Sequence, residues 1–236
     1  MKSIIVDERI SEKCERSLLI KGFNLIKLPA DCDLGEAVSS HPDTVMFFSG
    51  NRIITTADYC DKAAYIFSDI REFAPNVKIT FTSDKRCSLY PKDCIMNALV
   101  IGDRIFCKKD NVSKAILDYA KSEGYKIIGV NQGYPACSTL AFGNNAITAD
   151  RGMAKTLSDE GIDVLLINEG HISLPPYSYG FIGGAGGVYN NVVYFFGNLD
   201  LHPDASSIGE FIRSKGFSYF SLSDEPLSDF GGFFAL

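Results

Sequence analysis

Residues 21–28 read KGFNLIKL: a glycine closes a polar, helix-like stretch and an apolar, strand-like one begins directly behind it. The same grammar returns at Glu123-Gly124-Tyr125 before YKIIGV (125–130), at Glu160-Gly161-Ile162 before IDVLLI (162–167), and at Lys215-Gly216-Phe217 before FSYFSL (217–222). Each is read as a helix ended by glycine in the left-handed conformation and followed at once by a core strand. A degenerate copy, Glu72-Phe73-Ala74-Pro75 before VKITF (77–81), lies between the first two. Spacings of about 50, 50, 37 and 55 residues mark one supersecondary unit used several times.

Between these signals lies a second recurrent element, a β-hairpin with a polar turn. The turns are Ser49-Gly50-Asn51, Gly102-Asp103, Gly143-Asn144-Asn145 and Tyr189-Asn190-Asn191. Short apolar runs precede them (TVMFF, NALVI, STLAF, GAGGV) and follow them (IITT, RIFC, AITA, VVYFF). Small residues, Asn and Asp between apolar runs are the usual hairpin signal. Two copies match in letters, GNRIITTAD at 50–58 and GNNAITAD at 143–150.

Each unit therefore reads ββαβ, with full units over about 43–83, 92–130, 136–167 and 182–222. The ends supply the pieces of a fifth: FGGFFAL (230–236) as first strand, then KSIIV (2–6), a helix over about 8–21 and FNLIKL (23–28). Closure by both termini removes open sheet edges. The expected fold is a single α/β domain over 1–236, a five-bladed α/β propeller of ββαβ modules with pseudo-fivefold symmetry.

Composition narrows the function classes. An apolar content of 46% is enough for a full core, and no run of 18 apolar residues predicts a membrane span. The opening MKSIIVDERISEK places acids where a signal peptide needs an apolar run, which predicts a cytoplasmic protein. Net charge is −6 without any Lys/Arg run, which argues against nucleic acid as a partner. The seven cysteines contain no Cys-x-x-Cys pair, and the three histidines lack ligand spacing to paired cysteines. Mostly buried free thiols, no metal and no cofactor are expected.

Two motifs carry chemistry. His41-Pro42-Asp43-Thr44-Val45 opens the first full unit, and Gly133-Tyr134-Pro135-Ala136-Cys137-Ser138-Thr139 opens the third. Five ββαβ units with a His-x-Asp-Thr-Val and a Pro-x-Cys at module starts resemble the guanidino-group-modifying superfamily, or penteins. Its members include arginine deiminase, dimethylarginine dimethylaminohydrolase, amidinotransferases and a non-catalytic ribosome anti-association factor. The resemblance implies a channel mouth with Cys137 as nucleophile, His41 as acid/base, and Asp43 orienting the histidine or binding substrate. It implies a small-molecule substrate in the central channel and a covalent thiol intermediate on a guanidine, amidine or related C–N group. A thiolate suits so poor an electrophile, histidine can move the protons, and carboxylates hold a planar guanidinium by paired hydrogen bonds. The alternative within the same fold is a non-catalytic binding module.

The match has departures. The cysteine lies in the third full unit where family members carry it in the last, so alignment needs a circular shift of blades. Phe230-Gly231-Gly232-Phe233 then falls where deiminases carry Glu-Gly-Gly-Asp, and only Asp229 offers a replacement carboxylate. A twin tripeptide, His202-Pro203-Asp204, precedes a helix for which Asp204 reads as N-cap. Glu169 and His171, in Asn168-Glu169-Gly170-His171, form a second candidate acid/base cluster if their loop folds over Cys137. Asp93 and Asn97 open the second unit's inner strand and are further substrate-binding candidates. The run from Gly180 to Gly187 does not open a helix as a dinucleotide loop must. It reads instead as an inner strand packed closely at the axis, with Gly184 leaving room for a ligand.

Overall fold

The computed structural model describes residues 2–236. The chain runs β1 (Lys2–Asp7), α1 (Glu12–Ile20), β2 (Phe23–Leu28), then α2 (Pro42–Val45), β3 (Met46–Ser49), β4 (Arg52–Thr56), α3 (Ala57–Lys62), α4 (Ala64–Phe73) and β5 (Lys78–Thr82). It continues with β6 (Leu99–Ile101), β7 (Arg104–Cys107), α5 (Lys114–Ser122) and β8 (Lys126–Gly129). Next come α6 (Pro135–Ser138), β9 (Thr139–Phe142), β10 (Asn145–Thr148), α7 (Arg151–Asp159) and β11 (Asp163–Leu166). The last elements are β12 (Gly186–Tyr189), β13 (Val192–Phe195), α8 (Ala205–Ser214), β14 (Ser218–Ser221) and β15 (Phe234–Ala235).

This is a mixed α/β fold of five three-stranded sheets. In four of them a hairpin pairs antiparallel and its second strand pairs parallel with the strand beyond the helix. The fifth joins the two chain ends in the same pattern: β15 lies antiparallel to β1, with Ile4 opposite Ala235, and β1 lies parallel to β2.

The middle strand of each sheet is apolar on both faces because each face serves a different core. Ile53 of β4 joins Ile5, Ile26 and Phe67, while its neighbour Ile54 joins Ile105 and Ile116. Phe106 packs with Ala146 and Leu157, and Ile147 with Val193 and Ile212. Ile4 and Val6 pack with Tyr194 and Phe196 of the last full unit. One strand from every sheet also lines a single cavity of about 350 Å³, through Phe48, Leu99, Leu140, Gly187 and Phe234.

The glycine signals hold: Gly22, Gly124, Gly161 and Gly216 lie at φ of 82°, 78°, 75° and 79°, where a Cβ would strain the backbone. The fifth copy ends differently. Ala74 stays at φ −140° and the chain leaves α4 through Pro75, because alanine resists the left-handed region. The helix expected from residue 8 starts at Glu12, where Ser11 accepts a hydrogen bond from the Cys14 N–H. Among the described residues no helix is long and apolar enough to cross a membrane.

Candidate active site

The two motifs do not open strands as read from sequence. Each forms one helical turn ahead of its strand, α2 and α6, with proline at the first helical position. Proline fixes φ there, needs no N–H, and holds the residue before it extended. The turns are built alike. Val45 N–H donates to His41 O and Ser138 N–H to Tyr134 O, both at 2.9 Å. A threonine hydroxyl from the second strand of the hairpin then donates to the last carbonyl, Thr55 to Val45 O at 2.8 Å and Thr148 to Ser138 O at 2.7 Å.

Asn97 ties the turns together. Its Nδ2 donates to the Cys137 Sγ at 3.1 Å and to the Asp43 carbonyl at 3.0 Å, and its Oδ1 accepts from Ala136 N–H at 2.8 Å. The Asp43 carboxyl accepts from the Thr44 hydroxyl at 3.3 Å and lies near enough to the Cys137 thiol to raise it. Asp229 arrives from the chain end. Its oxygens accept from Phe181 N–H at 2.8 Å and Gly231 N–H at 3.0 Å, and Oδ1 lies 3.7 Å from His41 Nδ1. On the other side of the ring, His41 Nε2 is 3.8 Å from Asp7 Oδ2, and neither ring nitrogen has a hydrogen-bond partner. Asp7 is itself clamped by Arg9, at 3.0 Å through Nε and 2.6 Å through Nη2.

His41, Cys137 and Asp229 line a cavity of about 300 Å³ with Tyr134, Leu174, Tyr177, Tyr179 and Phe181. Its charge state is set by burial. Burial, then the charge of Asp229, pushes Asp43 up to about 8. Burial raises Asp229 to about 6 against the pull of its two N–H donors. Burial and the nearby Arg9 charge lower His41 to about 3. At 3.7 and 3.8 Å neither carboxylate hydrogen-bonds the ring, so burial decides the sign. The Cys137 thiol is raised by burial first and by Asp43 and Asp229 next. The resting site near neutrality therefore holds a thiol, a neutral imidazole and a partly protonated carboxyl pair.

These shifts predict a pH dependence of stability. Between pH 6.5 and 8 the folded Asp43 keeps a proton that the unfolded chain has released, so stability falls as pH rises. His41 works in the opposite sense only below its unfolded value of 6.5. Denaturant titrations at both pH values should show a loss of about 2 kcal/mol in the wild type. In Asp43→Asn the slope should vanish; an unchanged slope would refute the assignment.

Other sequence candidates are placed elsewhere. His171 does not lie over Cys137; it is exposed and packs edge-on to His202, ring centroids 5.5 Å apart. Its loop is drawn that way because Asn168 donates twice to the Asp204 carboxylate, at 2.7 and 2.9 Å. Asp204 consequently sits at the N-cap of α8 without a side-chain capping bond. Glu169 accepts from the Tyr179 hydroxyl and lines the neighbouring cavity. Asp93 stands behind the wall, accepting from the Tyr134 hydroxyl. Gly184 touches the site through its lack of a side chain, since a Cβ would overlap the Asp229 carboxylate. Asp7, Arg9, Asp31 and Arg86 escaped sequence reading, as no local pattern marks them.

The chain belongs to the family of unknown function DUF6873, whose model matches residues 5–234. None of the curated proteins matches the sequence. Among solved structures it is similar to dimethylarginine dimethylaminohydrolase from Pseudomonas aeruginosa in complex with citrulline. That match has 11% identity, covers 94% of this chain and 92% of that one, and has a TM-score of 0.59. It is also similar to SxtG, an amidinotransferase from Microseira wollei, at 12% identity, 94% and 88% coverage and a TM-score of 0.58. Agmatine deiminase of C. jejuni follows at 8% identity, 94% and 87% coverage and a TM-score of 0.55. All three are members of the pentein superfamily, and at these identities the likeness is one of fold.

Proposed function

We propose that this protein is a cysteine-dependent hydrolase or transferase acting on a guanidinium, amidinium or related C–N group. The observation that carries the reading is the meeting of Cys137, His41 and Asp229 from three units at one small cavity, with Asp43 tied to Cys137 through Asn97. The five sheets share core clusters in cyclic order, which supports a five-bladed α/β propeller closed by both termini. The fold likeness to guanidine-modifying enzymes supports the kind of reaction.

The charge state suggests the sequence of events. A planar cation entering beside Asp229 and Asp43 supplies the positive charge these buried carboxyls lack, and favours their ionised forms and the thiolate. The Cys137 proton passes to neutral His41 as Sγ bonds to the central carbon. The imidazolium then protonates the departing nitrogen, the C–N bond breaks, and an S-linked amidinium remains on the cysteine. In hydrolysis, water gives a proton to His41 and bonds to that carbon; the C–S bond breaks and the thiol is restored. An incoming amine in place of water makes the enzyme a transferase.

The test compares two alkylating agents of the same size, cationic chloroacetamidine and neutral chloroacetamide. The amidine is expected to modify Cys137 about 100-fold faster, on the order of 3 kcal/mol of charge–charge attraction, with mass spectrometry locating the adduct. Asp229→Asn should erase the preference. Equal rates, or modification of Cys137 only after unfolding, would leave the site as that of a non-catalytic binding module.

A further inference from the structure

Resting on that reading, we infer that the natural substrate is a small monocationic guanidine or amidine with an apolar or aromatic body and no carboxylate. The cavity that receives the cationic head also limits what may follow it. Beyond His41, Cys137 and Asp229 its wall is Val38, Tyr134, Leu174, Tyr177, Ser178, Tyr179 and Phe181, with no Lys or Arg among the described lining residues. At about 300 Å³ it lies at the small end of ligand sites. Four aromatic rings suit a delocalised cation and an apolar body.

Two of the four hydroxyls of that wall are engaged on the protein's own carboxylates. Tyr134 donates to Asp93, and Tyr179 donates to Glu169 at 3.2 Å. Of the cations in the adjoining cavities, Arg9 is already answered. Arg9 gives its donors to Asp7 and to the carbonyls of Glu36 and Ala37. Arg151 lines the next cavity and is not part of this wall. A carboxylate on the substrate body would thus meet apolar walls and the Asp229 carboxyl, with no cation among the described lining residues to receive it.

The experiment is calorimetric titration of the Cys137→Ser variant with n-butylguanidine and with 4-guanidinobutanoate, in which a carboxylate replaces the terminal methyl at the same carbon count. A parallel measurement follows protection of wild-type Cys137 from iodoacetamide by each compound, so the result does not depend on the variant folding. n-Butylguanidine is expected to bind and protect at least tenfold better. Equal or tighter binding of 4-guanidinobutanoate overturns the inference. If neither compound binds while chloroacetamidine still selects Cys137, the assigned substrate body is wrong and the proposed chemistry stands. If chloroacetamidine selectivity is also missing, the proposed chemistry fails with it.

Discussion

Replacing Arg86 by methionine is expected to destabilise the protein by about 3–5 kcal/mol, the range for breaking a buried ion pair by removing one partner. Arg86 and Asp31 have side chains only 1% exposed and meet at 2.5 Å. The same guanidinium donates to the Val45 carbonyl at 2.5 Å, to the Thr44 carbonyl at 3.3 Å and to the Thr56 hydroxyl at 3.0 Å. Arg86 therefore closes the C-terminal end of α2, the turn that carries Asp43 and starts at His41. Methionine fills part of the volume and leaves Asp31 with Lys62, which is 35% exposed and 3.0 Å away. Urea unfolding reads the loss directly. In the double variant Arg86→Met, Asp31→Leu most of the stability should return, since no buried charge is stranded. The Thr44 and Val45 carbonyls of the turn would still lack the guanidinium donor, so selective alkylation of Cys137 by chloroacetamidine should stay impaired in both variants. A single-variant loss below about 1 kcal/mol would show that the pair does not hold the turn.

Gly184→Ala is expected to remove the charge preference of the site altogether. An added methyl would occupy the place of the Asp229 carboxylate. The backbone at 184 cannot retreat, because its N–H donates to Cys137 O at 3.1 Å and its carbonyl accepts from both Phe230 and Gly232 at 2.9 Å. Asp229 must move instead, losing the Phe181 and Gly231 N–H donors and its place beside His41. Overpacking of this kind costs about 1–3 kcal/mol, read by thermal or urea unfolding. The chloroacetamidine rate should fall about 100-fold to that of chloroacetamide, the same charge–charge attraction being lost. Asp229→Asn should share the lost preference and keep the wild-type packing. A Gly184→Ala protein that retains the preference would show that Asp229 does not hold the cation.

Gly231 gives the same lesson from another side. At φ 69°, with a Cβ position overlapping His41, it lets the chain end pass against the catalytic candidate's own backbone. The FGGFFAL end was legible as a strand partner for the N-terminus, though only Phe234–Ala235 pairs with it; the role of the FGGF stretch ahead of that strand in seating Asp229 was not. Asp229 itself was named only because it neighbours two phenylalanines that stand where carboxylates were expected.

The sequence by itself determined the repeating plan, because helix stops and hairpin turns are governed by residues adjacent in the chain. Gly22, Gly124, Gly161 and Gly216 must be left-handed, and Gly50 or Asn190-Asn191 must turn a hairpin, whatever surrounds them. It also determined the principal chemical candidates, since His41 and Cys137 each sit in a local proline-led motif. The tertiary structure alone decided which candidates share a site and in what protonation state. Glu169 and His171 are drawn away by Asp204, while Asp7 and Asp229, over 220 residues apart in the chain, flank one imidazole. The thiol expected to be activated is instead held protonated, because burial and two nearby carboxyls oppose its ionisation. Both outcomes depend on desolvation and on charges at a few ångströms, and neither is encoded by residues near in sequence.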